Sequence, residues 1–287
     1  MNRLIAAFAV VSLSVLSMAQ TPTTTSDPLQ ANAPAAGEES NASLAVPRSA
    51  LATTDCAFNF TSGGLDTGLS YCVTVNGNIP QLATPELHEH LASKRSEGYG
   101  ICDQSTGVAY NDYGDTDSFN WLPATVVSSS ATSVKIARTT IDGLWTLTQT
   151  IAEVTGNSPS VKITMTLKNN SGIAKLAWLL RYADADIDGL LANDFNMTID
   201  AAAASNSITG PWGSTRAYGL LLQNIGNNSF AHQALVQNTR LGPAPCNPFA
   251  VFPQAPLVFQ DGSLALMYQP FIGAGASVTA TMMYKGF

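Results

Sequence analysis

The sequence predicts an all-β protein that folds as one large antiparallel β-sandwich. Three observations lead to this prediction. Hydrophobic side chains recur with a period of two residues, where a helix would need about 3.6. Residues that suit tight hairpins separate the periodic segments, and no segment has the length and pattern of a long helix.

The N-terminal segment is predicted to lie outside the sandwich. Residues 1–19 combine an early arginine, an apolar stretch and small residues before a cleavage point, which is the pattern of a secretory signal peptide. The stretch is shorter than the roughly 20 residues of a membrane-spanning helix. Residues 20–50 are rich in Thr, Ser, Pro and Ala, so we expect a disordered linker. A single β-sandwich domain is expected at residues 51–287, in a protein that is secreted or periplasmic and has no membrane span after cleavage.

The clearest strands lie in the middle of the chain and near its C-terminus. In VKITMTLKN, residues 161–169, hydrophobic side chains alternate with lysine and threonine, which is typical of a strand with one buried face. LWTLTQTIAEV, residues 144–154, and SVTATMMYK, residues 277–285, show the same alternation. The predicted core residues are Trp145, Leu147, Ile163, Met165, Leu167 and Trp178.

Four dipeptides that accept positive φ, as tight hairpins require, lie between the periodic segments. They are Asn76-Gly77, Asp142-Gly143, Ser171-Gly172 and Asp261-Gly262. Consecutive strands are therefore expected to be antiparallel neighbours, and the segments from Val134 to Asp188 are predicted to form one four-stranded meander. A sheet that wide, apolar on one face, needs a second sheet to cover it.

The cysteines predict two disulfide bonds. The chain has four, Cys56, Cys72, Cys102 and Cys246, and no pair has the C-x-x-C spacing of a zinc or redox site. An even number of cysteines in an exported chain favours disulfides. A hairpin through the SGG and DTG turns would bring Cys56 to Cys72, which leaves Cys102 for Cys246.

The composition indicates a surface with few charges. Charged residues are 11% of the chain, against about 25% in typical soluble domains. The surface must therefore consist largely of Thr, Ser, Asn and Gln, which suits an extracellular β protein. The net charge of −7 argues against binding to nucleic acid.

Several short segments resemble known proteins. NGNIPQ, EGYGICD, AYNDYGD, RTTIDGLWTLTQT and RYADADIDG together resemble a group of uncharacterised secreted bacterial β-sandwich proteins with EGYxxCD and RYxDxDxDG motifs. This resemblance spans residues 56–194 and implies neither an activity nor catalytic residues. The strand pairs and the phrase KITMTLKNNSG, within residues 133–188, are more distantly similar to the galactose-mutarotase-like supersandwich. That likeness implies a supersandwich fold, as in epimerases and in accessory domains of polysaccharide-degrading enzymes.

The segment RYADADIDG predicts a metal site. Three carboxylates at the end of an apolar strand repel one another and lose hydration, and Arg181 is expected to point to the opposite face. Calcium relieves this repulsion, because it binds six to eight oxygens, and DADIDG matches the first half of an EF-hand loop. The predicted calcium ligands are Asp184, Asp186, Asp188, Asn193 and Asp194.

Two other interpretations of these aspartates stay open. The strand can end near Tyr182 and leave them in a solvated acidic turn, or the acids can serve catalysis. A separate motif, His88 to His90 in HEH, would place two imidazoles on one face of a strand, with His232 as a distant third zinc ligand. The alternative is that these histidines are hydrogen-bonded within a polar sheet.

The segment from Tyr110 to Trp121 predicts a ligand surface that combines aromatic rings with acids. Its candidate residues are Tyr110, Asp112, Tyr113, Asp115, Asp117 and Trp121. The alternative is a polar loop whose aromatic side chains pack beneath it. Glu97 and Asp103 can form an acid and base pair, but their separation in the sequence does not fix their separation in space.

Two classes of function follow. The first is a non-enzymatic module that binds carbohydrate or another cell-surface component and uses calcium structurally. The second is a carbohydrate-active enzyme of the epimerase or polysaccharide lyase type, built on the same supersandwich. The sequence contains no G-x-S-x-G, H-E-x-x-H, P-loop or dinucleotide-binding glycine motif, which favours the first class.

Overall fold

A computed structural model describes most of the chain after its N-terminal segment. The described residues are 56–64, 67–85, 88–91, 97–114, 116–156, 159–209, 215–237, 244–251 and 256–287. The predicted signal peptide, the predicted linker and Asp115 lie outside these residues. Within the described ranges no helix is both long and apolar enough to cross a membrane.

The secondary structure is almost wholly β. The first ten strands are β1 (Phe58–Ser62), β2 (Leu69–Val73), β3 (Gln81–Ala83), β4 (Glu89–Leu91), β5 (Glu97–Asp103), β6 (Val108–Tyr113), β7 (Thr116–Asp117), β8 (Thr125–Ser129), β9 (Ser133–Thr139) and β10 (Trp145–Val154). The next six are β11 (Ser160–Asn169), β12 (Lys175–Asp184), β13 (Asn193–Met197), β14 (Ala201–Thr209), β15 (Thr215–Asn224) and β16 (Ala231–Gln237). The short helix α1 (Pro248–Val251) precedes β17 (Leu257–Gln260), β18 (Ser263–Gln269), β19 (Phe271–Ile272) and β20 (Ser277–Gly286).

These strands form three antiparallel sheets. Nine strands make one sheet, in the order β17-β13-β14-β15-β20-β11-β10-β9-β8. The facing sheet has the order β16-β18-β12-β5-β6-β7, with β19 paired to the start of β12, and a smaller sheet has the order β1-β2-β3-β4. One hydrophobic cluster contains side chains from all three sheets. The prediction of an all-β, large antiparallel sandwich is therefore confirmed.

The predicted four-stranded meander is correct for three strands and wrong for the fourth. β9, β10 and β11 pair in sequence, but β12 lies in the facing sheet between β5 and β18. The free edge of β11 is occupied by the C-terminal strand β20. Alternation reveals which face of a strand is buried, but not which sheet the strand joins. β12 is buried on both faces along its second half, as expected for a central strand.

The core between the two large sheets contains most of the predicted residues. Trp145, Leu147, Ile163, Met165 and Leu167 are all buried there. Trp178 is an exception, because it is only half-buried and belongs to a second cluster on the outer face of the seven-stranded sheet. Its indole meets the ring of Phe249 edge-on, with centroids 6.0 Å apart.

The outer face of the seven-stranded sheet is covered by the chain that leads into α1. Gly100 allows a close approach there, because a β-carbon at this position would lie 2.9 Å from Cγ of Pro245. The next residue, Cys246, is bonded to Cys102 on β5. The second disulfide joins Cys56 to Cys72. Both pairings are those that the sequence predicts.

A buried ion pair lies at the centre of the sandwich. Arg181 and Glu97 are both fully buried, and the guanidinium donates hydrogen bonds to both carboxylate oxygens. Arg181 also donates to the side chain of Gln149 in the nine-stranded sheet, and Glu97 accepts from the hydroxyl of Tyr284. Burial alone would lower the pKa of Arg181, but the Glu97 carboxylate and the Tyr284 hydroxyl together outweigh this effect and raise it. Arg181 therefore stays charged and needs its counter-ion.

Two further cations, Arg138 and Lys175, are buried in the same interior and paired with carboxylates. Arg138 on β9 donates to Asp112 on β6, across the two sheets, and to Asp117 at 2.6 Å. Lys175 donates to Asp103 at 2.7 Å. Burial would raise the pKa of Asp103, but hydrogen bonds from Lys175 and Ser105 lower it overall. The charged residues of EGYGICD, AYNDYGD and RYADADIDG thus include the partners of buried ion pairs.

The packing of β11 predicts opposite effects of substituting two neighbouring residues on this strand. Ile163→Ala should destabilise the protein by about 2–5 kcal/mol, because it leaves a cavity in the core. Thr164→Ala should change the free energy of unfolding by less than about 0.5 kcal/mol, because this side chain faces away from the core. Urea unfolding measures both, and equal losses would contradict the assignment of faces.

The buried ion pair predicts that Arg181→Met lowers the free energy of unfolding by about 3–5 kcal/mol, because the Glu97 carboxylate stays buried without its cation. The double variant Arg181→Met with Glu97→Gln should recover part of this loss. Lys162→Met, at an exposed position of β11, is the control and should have little effect. The same urea measurement applies, and a single Arg181 variant as stable as the parent would contradict the role of the pair.

Candidate metal centre

The segment that follows β12 differs from the geometry expected for three aspartates on one strand face. β12 ends at Asp184, and a single 3-10 turn follows at Ile187–Gly189. The backbone N–H of Asp186 donates to the carbonyl of His90 at 3.1 Å. Asp188 has a left-handed backbone, with φ of 57°. The three carboxylates therefore do not lie in a row on one strand face, and only Asp184 and Asp186 come together.

Asp184 is held at the end of its strand by a short chain of hydroxyl groups. It is fully buried and shares the outer face of the sheet with Leu180 and Tyr182. The hydroxyl of Ser263 on β18 donates to Oδ1 of Asp184 at 3.1 Å, and the hydroxyl of Tyr182 lies 2.8 Å from that of Ser263. This chain fixes the orientation of the carboxylate.

Asp184, Asp186 and Asp261 form a group that can hold a metal ion. Each offers one carboxylate oxygen, and these atoms all lie within 4.8 Å of one another. Asp184 and Asp186 are buried, and Asp261 is half-buried. Oxygens on opposite sides of a calcium ion are about 4.6–5.2 Å apart, since each bond measures about 2.3–2.6 Å. The spacing is therefore compatible with calcium.

Asp188, the third predicted ligand from the motif, lies outside this group. Its Oδ1 is 2.8 Å from Nδ1 of His88. The His88 ring in turn stacks on Tyr218, with centroids 3.5 Å apart. In this left-handed turn the carboxylate of Asp188 binds His88, the residue before β4, and is not part of the acidic group.

The two further predicted calcium ligands, Asn193 and Asp194, have different surroundings. Asn193 is buried, and its Nδ2 donates to the carbonyls of Leu190 and Ala185, the latter between the two clustered aspartates. Its Oδ1 is buried and has no hydrogen-bond partner in the protein. Asp194 is exposed, and its Oδ1 accepts the backbone N–H of Phe259 at 2.8 Å. Asn193 therefore lies beside the acidic group, whereas Asp194 is bound to the backbone of β17.

Asp261 is the residue that sequence reasoning missed at this site. It lies in the Asp261-Gly262 turn, which the sequence identifies only as a hairpin signal. The turn reaches Asp184 because β18 pairs with β12, which places Ser263 directly opposite Asp184. No local pattern predicts this pairing, since the two residues are 79 positions apart.

The histidines do not come together as a zinc site. His90 is fully buried, and its Nε2 donates to the carbonyl of Thr84 at 2.6 Å. Burial lowers the pKa of His90 to about 4. His232 contacts Asp200 at 2.6 Å, and His88 contacts Asp188. Across the described ranges, the acidic group is the only cluster of three or more such ligands.

The predicted ligand surface near Tyr110 requires correction. Four of its residues, Tyr110, Asp112, Tyr113 and Trp121, are buried. The Trp121 indole N–H donates to the carbonyl of Asn111, and Asp117 is tied to Arg138. The aromatic side chains therefore pack beneath the loop, as in the alternative interpretation, because they complete the core at the end of the sandwich.

One aromatic side chain of this loop does face solvent. Phe119 is 80% exposed and has a left-handed backbone, with φ of 59°. Its backbone N–H donates to Oδ1 of Asp117 at 2.9 Å, while Oδ2 of Asp117 accepts from Arg138. The ion pair of Arg138 and Asp117 thus anchors the backbone of the residue that carries this exposed ring.

Glu97 and Asp103, the suggested acid and base pair, are each engaged in an ion pair. Both carboxylates are fully buried. Each is bonded to a cation, Arg181 in one case and Lys175 in the other. Neither presents an oxygen to solvent, where a substrate would bind.

Comparison with known proteins gives distant structural neighbours only. No protein-family model and no curated protein matches the chain, so the resemblance to secreted bacterial sandwich proteins is not confirmed. Among solved structures, a 4-alpha-glucanotransferase from Thermococcus litoralis matches with a TM-score of 0.40 and 6% identity, over 79% of this chain and 37% of its own. A heparan sulfate lyase mutant from Pedobacter heparinus matches with a TM-score of 0.37 and 7% identity, over 83% and 36%.

A third neighbour is an alpha-mannosidase from Bacteroides thetaiotaomicron in complex with mannoimidazole, with a TM-score of 0.30 and 8% identity, over 81% of this chain and 30% of its own. The chain thus spans about a third of the length of the solved structures it matches. At these scores the likeness does not extend to a site or an activity.

Proposed function

We propose that the protein is an exported, non-enzymatic β-sandwich that binds a glycan at its surface and is stabilised by one structural calcium ion. The observation that carries the proposal is the group formed by Asp184, Asp186 and Asp261, with oxygens within 4.8 Å of one another. Buried carboxylates this close repel one another and lose hydration, so a bound cation lowers their free energy. Two disulfides support export, because such bonds persist in oxidising compartments.

Calcium is the cation that this set of groups favours. The ligands are hard oxygens, with no thiolate or imidazole among the three grouped side chains, which argues against zinc. Magnesium requires bonds of about 2.0–2.1 Å in a strict octahedron and keeps several waters. A compact, largely buried set of protein oxygens suits the larger and more flexible calcium shell.

Support for a non-enzymatic module comes from the burial and the bonding partners of the candidate acids and bases. Glu97 and Asp103 are each buried against a cation. His90 is enclosed and its Nε2 is occupied by a backbone carbonyl. A general acid or base needs contact with a substrate proton, and these groups lack that access.

The proposed glycan surface lies at Phe119. The backbone N–H of Phe119 is bound by Asp117, which anchors the loop that carries the exposed ring. The exposed side chains of Leu122 and Ile141 belong to the same loop pair, which is joined by a hydrogen bond from the N–H of Ile141 to the carbonyl of Asn120. An exposed aromatic ring on an anchored backbone suits stacking on the apolar face of a sugar, because the backbone loses little conformational entropy on binding.

The calcium proposal predicts that the melting temperature rises with calcium and much less with magnesium. At a hundredfold excess over Kd, binding to the native state alone adds about 2.7 kcal/mol of stability. Asp261→Asn and Asp186→Asn should remove most of this response, and each should raise the metal-free stability by removing a repelling charge. Differential scanning calorimetry with and without chelator measures these effects.

Asp188→Asn is the matched control, because Asp188 belongs to the same motif but contacts His88. This variant should keep the calcium response. A parent protein that shows no calcium response would exclude the metal site. Loss of the response in Asp188→Asn, with retention in Asp261→Asn, would favour the motif geometry over the observed one.

The surface proposal predicts that Phe119→Ala abolishes binding on a glycan array and leaves the melting temperature unchanged, since the ring is 80% exposed. Phe271→Ala is the control, because Phe271 is also exposed but lies on β19 in the seven-stranded sheet. Turnover assays on the bound sugars should show no product. Equal binding by the Phe119 variant, or consumption of the sugar, would contradict the proposal.

A further inference from the structure

The amide of Gln237 is an unusual group in this interior. Gln237 is fully buried at the end of β16. Neither Nε2 nor Oε1 has a hydrogen-bond partner in the protein. A buried polar atom without a partner costs about 1–3 kcal/mol, so a side chain with two such atoms points to a ligand that satisfies them.

The position of Gln237 places it beside the acidic group. Gln237 lies directly opposite Ser263 on β18, and Ser263 lies directly opposite Asp184 on β12. Residues opposite one another in an antiparallel pair project to the same face of a sheet. These three side chains therefore form one row across the outer face, in line with the buried cluster that contains Leu235 and Tyr182.

The turn that carries Asp261 packs directly on Gln237. A β-carbon at Gly262 would lie 2.6 Å from the carbonyl oxygen of Gln237, so only glycine permits this approach. Asp261 and Ser263 flank Gly262, and Asp261 is one of the three grouped acids. The Gln237 amide is therefore close to the acidic group for two reasons. It shares a row of side chains with Asp184, and its strand contacts the turn that carries Asp261.

We propose that Oε1 of Gln237 is a ligand of the calcium ion and closes its site from β16. This inference rests on the proposed function, because it adds an oxygen to the same ion. Oδ1 of Asn193, a buried amide oxygen without a partner beside the same acidic group, completes the protein ligands. Three carboxylates and two amide oxygens, with water, match the six to eight oxygens that calcium takes.

This ligand set gives the ion a definite structural task. Asn193 belongs to β13 of the nine-stranded sheet, whereas Asp184 and Gln237 belong to β12 and β16 of the seven-stranded sheet. Asp261 lies between β17 and β18, where the chain passes from one sheet to the other. The ion therefore joins the two sheets at one edge of the sandwich, where no disulfide of the described chain lies.

Calcium titration of the full exported chain, by isothermal calorimetry, tests the proposal. Gln237→Leu should raise the Kd for calcium at least about tenfold. Removal of groups that only hydrogen-bond to metal ligands already lowers metal affinity about 10- to 100-fold. Its metal-free melting temperature should be unchanged or higher, because a buried amide without partners is gone. Gln237→Glu keeps an oxygen ligand, so this variant should bind calcium at least as tightly as the parent. Without the ion it should be less stable, because it adds a carboxylate to the acidic group.

Gln233→Leu is the control, because Gln233 lies on the same face of β16, four residues earlier, and is half-buried. It should leave the Kd unchanged. A parental Kd in Gln237→Leu would overturn the inference and leave the metal site itself standing. A melting temperature lowered equally with and without calcium would assign Gln237 a packing role only. A parent that binds no calcium would exclude the proposed function first.

Discussion

The burial of Arg181 is the constraint on which the rest of the interior depends. A guanidinium does not lose its proton in a protein. Its burial between two sheets therefore requires a carboxylate and several hydrogen-bond acceptors at fixed positions. Glu97 supplies the carboxylate, Gln149 supplies a side-chain oxygen from the facing sheet, and Gly77 supplies a carbonyl. These contacts fix β5, β10 and β12 relative to one another. The same contacts hold the Arg181 side chain on the inner face of β12, whereas Asp184 lies on the outer face.

Local patterns predicted most of the fold because they record which face of a strand is buried. The alternation in β10, β11 and β20 placed Leu147, Ile163 and Met165 correctly, and the even cysteine count with the early hairpin predicted both disulfides. The sheet to which β12 belongs was not predictable in this way. Pairing between β12 and β5 joins Arg181 to Glu97 across 84 residues, and a period of two contains no information about such distant partners.

The candidate site shows the same limit at the level of single side chains. The motif pointed to Asp184 and Asp186, which the structure brings together, but its third acid, Asp188, turns towards His88. A spacing of two residues puts carboxylates on one face only while the strand continues, and β12 ends at Asp184. The third acid of the group, Asp261, comes from a turn that reaches the site through β18. Its place depends on sheet topology, which a nine-residue motif does not encode.

The distribution of charge shows what the distinctive segments contribute to the fold. The chain has only 33 charged side chains, 13 basic and 20 acidic. Arg138 and Arg181 from these segments, and Lys175 at the start of β12, are paired with carboxylates inside the sandwich. These pairs hold neighbouring strands and facing sheets together, so the charged residues of the distinctive segments constrain the fold. Arg138 extends this constraint towards the surface, because it also binds Asp117, which accepts the backbone N–H of the exposed residue Phe119.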